Sequence, residues 1–185
     1  MKKVILFAAL FAFAVGASAQ DYRASIGANV GTFYGASFKG FITNNLAIQA
    51  DLGVNLTRTH GGIDVHYNGQ SSHVGSGEMD FYTFEANPNV LYQAQITSFS
   101  AGTLSWFAGG GLSLGFLNGF NYSDPTFKMG FNGMGGVELK LAAAPLALSF
   151  DFRPGYGMGI DSEGGATAVT SFLDWKIAIG VRYIL

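Results

Sequence analysis

The chain has 185 residues, of which 49% are hydrophobic and only 12% are charged, against about 25% charged residues in an ordinary soluble domain. The formal net charge is −2 and there is no cysteine, which excludes a basic nucleic-acid-binding surface, a disulfide framework and thiolate chemistry. A chain that is apolar in total, with no long apolar run after its first residues, is typical of membrane β-barrels, because each strand turns half its residues toward the lumen.

Residues 1–19 have the three-part pattern of a secretory signal peptide. Lys2 and Lys3 are followed by an apolar run at 4–15 and by the small residues of 17–19. The apolar run is shorter than the ~20 residues that a helix needs to cross a bilayer. We therefore expect a signal peptide at 1–19 and one β-barrel domain at 20–185, with a formal charge of −4 once Lys2 and Lys3 are removed.

Eight segments alternate between apolar and polar or small residues with a period of two, the pattern of strands that have one apolar face. The last segment is the clearest, since Trp175, Ile177 and Ile179 share one parity while Asp174 and Lys176 share the other. The pattern predicts an all-β fold, an eight-stranded antiparallel up-and-down transmembrane barrel. The predicted strands are 22–31, 34–42, 46–57, 78–96, 104–117, 127–141, 146–159 and 170–185.

The predicted connections alternate in length. Short turns are expected at 43–45, 97–103 and 142–145, and longer polar connections follow the third, fifth and seventh strands. An even number of strands with short turns on one side matches the periplasmic turns and extracellular loops of outer-membrane barrels. Residues 58–77, which hold five glycines and all three histidines, are predicted to form a long exposed loop, with 63–67 as a candidate hairpin. Pro88 predicts a bulge or a local break in its strand.

The polar parity of these strands carries seven of the eight basic residues of the mature chain, together with five acidic residues. A Lys or Arg on the lipid side would cost about 2–4 kcal/mol at mid-membrane, so this bias predicts a lumen filled with paired charges. An eight-stranded barrel is just wide enough for its own side chains, which favours a closed interior, and a narrow channel for small solutes stays as the alternative. The predicted lumen charge network consists of Arg23, Lys39, Asp51, Glu85, Lys128, Glu138, Lys140, Asp151, Arg153, Asp174, Lys176 and Arg182.

The mature chain resembles the small outer-membrane β-barrel proteins of Gram-negative bacteria, of the OmpX/OmpA-barrel type or "porin family". The resemblance rests on the signal peptide, on the glycine-rich strand 133–141, on the motif 150–156 and on the final 179–183. The chain departs from that family by ending in Leu185 rather than in an aromatic residue. The resemblance implies a monomer in the outer membrane that contacts lipid and lipopolysaccharide. It also implies periplasmic chaperones and the barrel-assembly machinery as partners during biogenesis, and no nucleic acid.

Other chemistry has weaker support. The histidines of 58–77 lie near three carboxylates, but their spacing matches no metal-ligand motif, and Ser71, Ser72 and His73 are too close in sequence to favour a nucleophile–base pair. A lipocalin would be apolar inside and charged outside, the reverse of this pattern. We expect no cofactor and no enzymatic activity, and a structural or surface-interaction role through the external loops, with a loop-based ligand- or metal-binding module as a further alternative. The aromatic girdles predicted at the two rims are Tyr22, Tyr92, Trp106 and Tyr183, and Tyr34, Tyr82, Phe116, Phe127 and Tyr156.

Overall fold

A computed structural model describes residues 22–56, 58–67, 70–80, 82–118, 126–163 and 166–185. The predicted signal peptide lies outside these residues. The described chain forms ten strands: β1 (Ala24–Gly31), β2 (Phe33–Phe41), β3 (Leu46–Asn55), β4 (Arg58–Tyr67), β5 (Gln70–Asp80), β6 (Tyr82–Phe99), β7 (Gly102–Asn118), β8 (Thr126–Leu141), β9 (Leu146–Glu163) and β10 (Ala166–Ile184). No helix among the described residues is long and apolar enough to cross a bilayer.

Eight of the ten strands close into a barrel. The order is β1-β2-β3-β6-β7-β8-β9-β10, and β10 pairs back to β1, with every pairing antiparallel. This confirms the predicted eight-stranded antiparallel barrel. The closing strand is the one with the clearest alternation, because β10 lies between β9 and β1 and pairs with both.

The pairing registers define how steeply the strands run around the barrel. Starting at Val181 and following directly paired residues once around the ring ends at Ser171, an offset of ten residues along β10. A shear of ten over eight strands corresponds to a strand tilt of about 40°, for a rise of ~3.3 Å and a strand spacing of ~4.8 Å. The residues on this path are Val181, Ala28, Ala36, Leu52, Ala86, Leu114, Met129, Met158 and Ser171.

The prediction of a long loop at 58–77 is wrong, because β4 and β5 form a hairpin there, and the candidate hairpin at 63–67 is part of its first strand. The hairpin joins the sheet through β4, which pairs with Ala166–Leu173 at the start of β10. That edge of β10 is open because β1 ends at Gly31, which pairs with Ala178. The short β1–β2 connection thus leaves one edge of β10 unpaired by the barrel, and the hairpin satisfies its backbone groups.

The short turns lie where they were predicted, although two connections are shorter than expected. The strands run on through most of the predicted turn at 97–103, so that only residues 100–101 link β6 to β7. The predicted loop at 161–167 is largely strand, since β9 continues to Glu163 and β10 begins at Ala166. Most of the predicted loop between β7 and β8 lies outside the described residues.

Pro88 interrupts the ladder without a bulge. Ala86 pairs with Leu114 and Asn89 with Gly111, so the register of β6 against β7 is the same on both sides of the proline. A proline removes one backbone donor but adds no residue, so a gap in the hydrogen bonds is enough. The register shift of β6 lies instead between Gln95 and Thr97, which makes Ile96 the extra residue.

Candidate functional site

The barrel lumen holds an ion-paired network. Ten of the described charged side chains are buried, and five of them are basic and five acidic, so their formal charges cancel. They fall into three clusters along the barrel, which we call the short-turn, central and long-connection clusters. The buried charges are Lys39, Asp51, Glu85, Lys128, Glu138, Asp151, Arg153, Asp174, Lys176 and Arg182.

The short-turn cluster surrounds Glu138, near the end of β8. Lys39 Nζ lies 3.0 Å from Glu138 Oε2, and Arg182 Nη2 donates to the same oxygen at 2.7 Å. Glu138 Oε1 accepts from the Tyr22 hydroxyl at 2.5 Å and from Gln93 Nε2 at 2.8 Å. Four donors from four regions of the chain therefore converge on one carboxylate.

The central cluster is built around Arg153 of β9. Arg153 Nη1 donates to Asp51 Oδ2 at 2.7 Å, and Nε donates to Asp151 Oδ1 at 2.5 Å. Asn29 and Gln49 also donate to Asp51, at 2.9 Å and 3.0 Å. One guanidinium thus bridges two carboxylates, and the Asp51 carboxylate also accepts hydrogen bonds from two amides.

The long-connection cluster pairs two lysines with two carboxylates. Lys128 binds Glu85, and its Nζ lies 3.1 Å from Asp174 Oδ2. Lys176 Nζ lies 2.6 Å from Glu85 Oε2 and 3.5 Å from Asp174 Oδ2. Asn55 donates to Asp174 at 3.2 Å, which ties β3 to the cluster. Each buried charge in this group therefore has a partner of opposite sign.

Two residues of the predicted network are not among the buried charges. Arg23 is exposed, which corrects its assignment to the lumen, and Lys140 is half-buried near the short-turn end of β8. β1 begins at Ala24, so the parity of the strand does not extend back to Arg23. The regular alternation that orients the other charges begins one residue after Arg23.

Tyr22 occupies the lumen in place of Arg23, and its assignment to an aromatic girdle is wrong. Its ring lies against Phe41, with the centroids 5.2 Å apart in an edge-to-face arrangement, and its hydroxyl binds Glu138. Burial, together with the negative charge of Glu138, raises the pKa of the Tyr22 phenol, which precedes the first strand. The phenol therefore stays protonated and acts as a hydrogen-bond donor to the carboxylate.

The alternation pattern missed three inward phenylalanines, each of which faces a cation. The Phe33 ring lies 5.4 Å from the Arg153 guanidinium, the Phe107 ring 4.7 Å from Lys39 Nζ, and the Phe172 ring 4.6 Å from Lys128 Nζ. The available signal was a pair of adjacent bulky apolar residues, such as 106–107 or 172–173, because only one of two neighbours in a strand can face outward.

The outer surface of the barrel is apolar. Ile177, Ile179 and Val181 of β10 are each about half exposed, at 45%, 58% and 48%, while the alternate residues are buried. Two predicted girdle pairs are in contact, Tyr92 with Trp106 and Phe116 with Phe127, at centroid distances of 5.8 Å and 5.9 Å. The side chain of Tyr82 lies outside the described residues.

The hairpin carries one described histidine contact. His73 Nδ1 lies 2.8 Å from Asp64 Oδ1, and both side chains are largely exposed. No group of three or more His, Asp or Glu residues that could hold a metal stands together among the side chains that the structure describes. The side chains of His60 and His66 are outside that set.

Comparison with known proteins yields similarities of structure but not of sequence. No protein-family model matches the chain, and no curated protein matches it. The chain is similar to the N-terminal β-barrel domain of OprF from Pseudomonas aeruginosa, with 11% identity over 86% of this chain and 95% of that one and a TM-score of 0.40. It is also similar to Ail, the attachment invasion locus protein of Yersinia pestis, with 11% identity over 86% and 93% of the two chains and a TM-score of 0.30.

At such identities and TM-scores, these likenesses add no argument about function. The assignment of the fold rests on the strand pairing of the chain itself, which closes between β1 and β10. The chain is therefore an eight-stranded antiparallel β-barrel with a buried, charge-balanced interior and an apolar exterior.

Proposed function

We propose that the protein is an integral outer-membrane β-barrel with a closed, charge-filled lumen and a structural or surface-interaction role. The observation that carries this proposal is the segregation of side chains by strand face. Every barrel strand exposes large apolar residues on its outer face, while the ten buried charges lie inside. One such exposed residue from each strand is Ile26, Phe38, Ile48, Phe84, Leu112, Phe131, Phe150 and Ile179.

The free-energy cost of exposing apolar surface to water supports a lipid-facing exterior. Soluble proteins rarely expose contiguous apolar patches of more than a few hundred Å², whereas here the apolar surface continues around all eight barrel strands. In a bilayer, the same surface is favourable, and closure of the sheet satisfies the backbone groups that lipid cannot. Export through the predicted signal peptide would deliver the chain to the outer membrane, where lipid and lipopolysaccharide would surround it. Periplasmic chaperones and the barrel-assembly machinery would act on it before insertion.

The closed lumen is supported by the pairing of its charges. Each of the five buried cations lies within ion-pairing distance of a buried carboxylate. An eight-stranded barrel has an interior filled by its own side chains, unlike the barrels of 16–18 strands that enclose channels. Planar-bilayer recordings of the unaltered folded protein should therefore show no unitary conductance. A reproducible unitary conductance would support the narrow-channel alternative instead.

The membrane assignment is tested by the behaviour of purified protein in water. We expect the chain to show its β-sheet circular dichroism spectrum and a monomeric size in detergent or lipid vesicles, and to aggregate when detergent is removed. A folded monomer in plain buffer would contradict the proposal, because it would show that the apolar exterior is stable in contact with water.

The β4–β5 hairpin favours the surface-interaction role over a purely structural one. Among the described strands, β5 pairs only with β4, so it forms an edge of the sheet. Such an edge can accept an extended peptide as an added strand. The test is replacement of residues 58–80 by a short turn, followed by screening for peptides from a random display library that bind the unaltered barrel and not the shortened one. Peptides that bind both equally would exclude the hairpin as the interaction surface.

A further inference from the structure

Near the short-turn end of the lumen, Phe107 lies between a glycine and a lysine. Phe107 is 1% exposed and pairs across the sheet with Gly136 of β8. A Cβ atom added at Gly136 would lie 2.8 Å from Phe107 Cζ, so the ring fits because this position has no side chain. On the lumen side, Lys39 Nζ lies 4.7 Å from the ring centroid and 3.0 Å from Glu138. Leu91 and Met134 pack with Phe107 in an apolar cluster.

Near the long-connection end, Phe172 has the same arrangement. Phe172 is 3% exposed and pairs with Gly157 of β9. A Cβ atom at Gly157 would lie 2.7 Å from Phe172 Cε2. Lys128 Nζ lies 4.6 Å from the ring centroid and is bound by Glu85 and Asp174. The order glycine, phenyl ring, lysine and carboxylate is therefore repeated in two places that share no residue.

The two arrangements lie on either side of the central cluster. Lys39 and Glu138 lie near the ends of β2 and β8 that lead into short turns, whereas Lys128 and Glu85 lie near the starts of β8 and β6 at the other end of the barrel. Asp51, Asp151 and Arg153 lie between them, and all three are buried. Ion-paired groups alone still attract water, whereas a buried ring held by a cation places apolar surface across the lumen on each side of the central cluster.

We propose that Phe107 and Phe172 are two aromatic gates in series that close the lumen at both ends and isolate the central cluster from water. This inference rests on the proposed closed barrel and names the residues that close it. Each ring has its outer atoms close to the paired glycine, and a lysine bound by carboxylates lies over the ring. Because the gates act in series, removal of one ring opens the central compartment to one side only, and removal of both opens a continuous path.

The first test measures access to the central compartment. The chain has no cysteine, so an Asn29→Cys substitution introduces a single thiol beside Asp51, to which the Asn29 amide donates at 2.9 Å. In the folded protein in detergent, this thiol should react slowly with a charged methanethiosulfonate reagent. Phe107→Ala or Phe172→Ala in the same background should raise the reaction rate severalfold. Phe150→Ala, which removes a ring from the outer face, is the matched control and should leave the rate unchanged.

The second test measures conductance in planar bilayers. Neither single gate variant should conduct, whereas the folded Phe107→Ala/Phe172→Ala double variant should show unitary conductance. If the alanine variants do not fold, the corresponding leucine substitutions keep apolar volume while removing the flat ring, and the same differences in reaction rate and conductance are expected. Circular dichroism and retention of the folded band in electrophoresis without heating establish which variants are folded.

Three results would contradict the proposal of two gates. The first is rapid labelling of Asn29→Cys in the otherwise unaltered protein, and the second is conductance from a single gate variant. The third is a folded double variant that neither reacts faster with the reagent nor conducts. All three are obtained with barrels that insert into detergent or lipid. These results are therefore distinct from failure of the proposed function, which would appear as a protein that is folded and monomeric without detergent or lipid.

Discussion

Two side-chain contacts to carboxylates have nearly equal lengths but lie in very different surroundings in this molecule. Lys39 and Glu138 are 3.0 Å apart inside the barrel, with side chains 0% and 1% exposed. His73 and Asp64 are 2.8 Å apart on the hairpin, with side chains 58% and 45% exposed. Water screens the second pair and can replace either partner, whereas the first pair has only the lumen to satisfy it. Distance alone therefore says little about what such a contact contributes.

The same contrast extends to the two parts of the sheet that contain these pairs, the barrel strands and the β4–β5 hairpin. Barrel strands bury one face in the lumen and turn the other outward. A substitution therefore changes either the packed contacts of the lumen or the apolar outer surface. Residues 71–73, 75 and 76 of β5 are exposed, and the hairpin is held to the molecule by the pairing of β4 with β10. We therefore expect the barrel to be sensitive to substitution and the hairpin to be tolerant.

The largest effect is expected for Glu138→Ala. This change leaves Lys39 and Arg182 buried without their carboxylate and removes the acceptor of the Tyr22 hydroxyl. Loss of one partner of a buried pair typically costs about 3–5 kcal/mol in the free energy of unfolding. Urea titration of the protein in lipid vesicles measures this loss. The double variant Glu138→Gln/Lys39→Met should recover part of the stability, and no recovery would mean that the pair itself is not the source of the cost.

A charge on the outer face should have the next largest effect. Ile179→Lys places an ammonium on an exposed position of β10, where lipid contact would cost about 2–4 kcal/mol. The same titration in vesicles gives the difference in free energy of unfolding. Ser72→Lys on the exposed hairpin is the matched control, and we expect it to be neutral. Equal tolerance of both lysines would argue that the outer face is not in contact with lipid.

A methyl group inside the lumen should have an intermediate effect. A Cβ atom at Gly155 would collide with Asp174 Oδ1 in the long-connection cluster, whereas one at Gly75 of the hairpin would meet no atom within 4 Å. Overpacking of a filled interior typically costs about 1–3 kcal/mol, so Gly155→Ala should lower the free energy of unfolding by that amount. Gly75→Ala should change it by no more than about 0.5 kcal/mol. Thermal unfolding in detergent compares the two, and similar melting shifts would contradict the packing argument.

The smallest effect is expected for His73→Ala. It removes the exposed contact with Asp64, and exposed pairs contribute about 0–1 kcal/mol. Hydrogen exchange of the hairpin amides, followed by mass spectrometry, measures the local opening free energy directly. If the opening free energy of the hairpin fell by as much as the unfolding free energy is expected to fall for Glu138→Ala, solvent exposure would not explain the difference between the two contacts.

The fold could be predicted from the sequence because the pattern is strong and local. Side chains in a strand alternate faces regardless of what lies beyond them, so the parity of Asp174, Lys176 and Arg182 placed them together before any pairing was known. The prediction did not hold for Tyr22 and Arg23, since the regular strand begins after them. It also missed Phe107 and Phe172, because the alternation was used to place polar or small residues on the inner face, and a large apolar side chain on that parity is an exception to the pattern.

The amino-acid pattern alone predicts a barrel with a polar inside and an apolar outside. The period of two assigns alternate residues to opposite faces, and the energetic cost of placing a charge in lipid assigns the charged face to the lumen. Only the tertiary structure decided which charges pair, since Glu138 and Tyr22 are 116 residues apart in the chain. It also decided that the hairpin continues the sheet at the edge left open by the short β1. Both outcomes depend on the register between strands that are distant in sequence. The closure and shear of the barrel set this register, and no local sequence pattern encodes it.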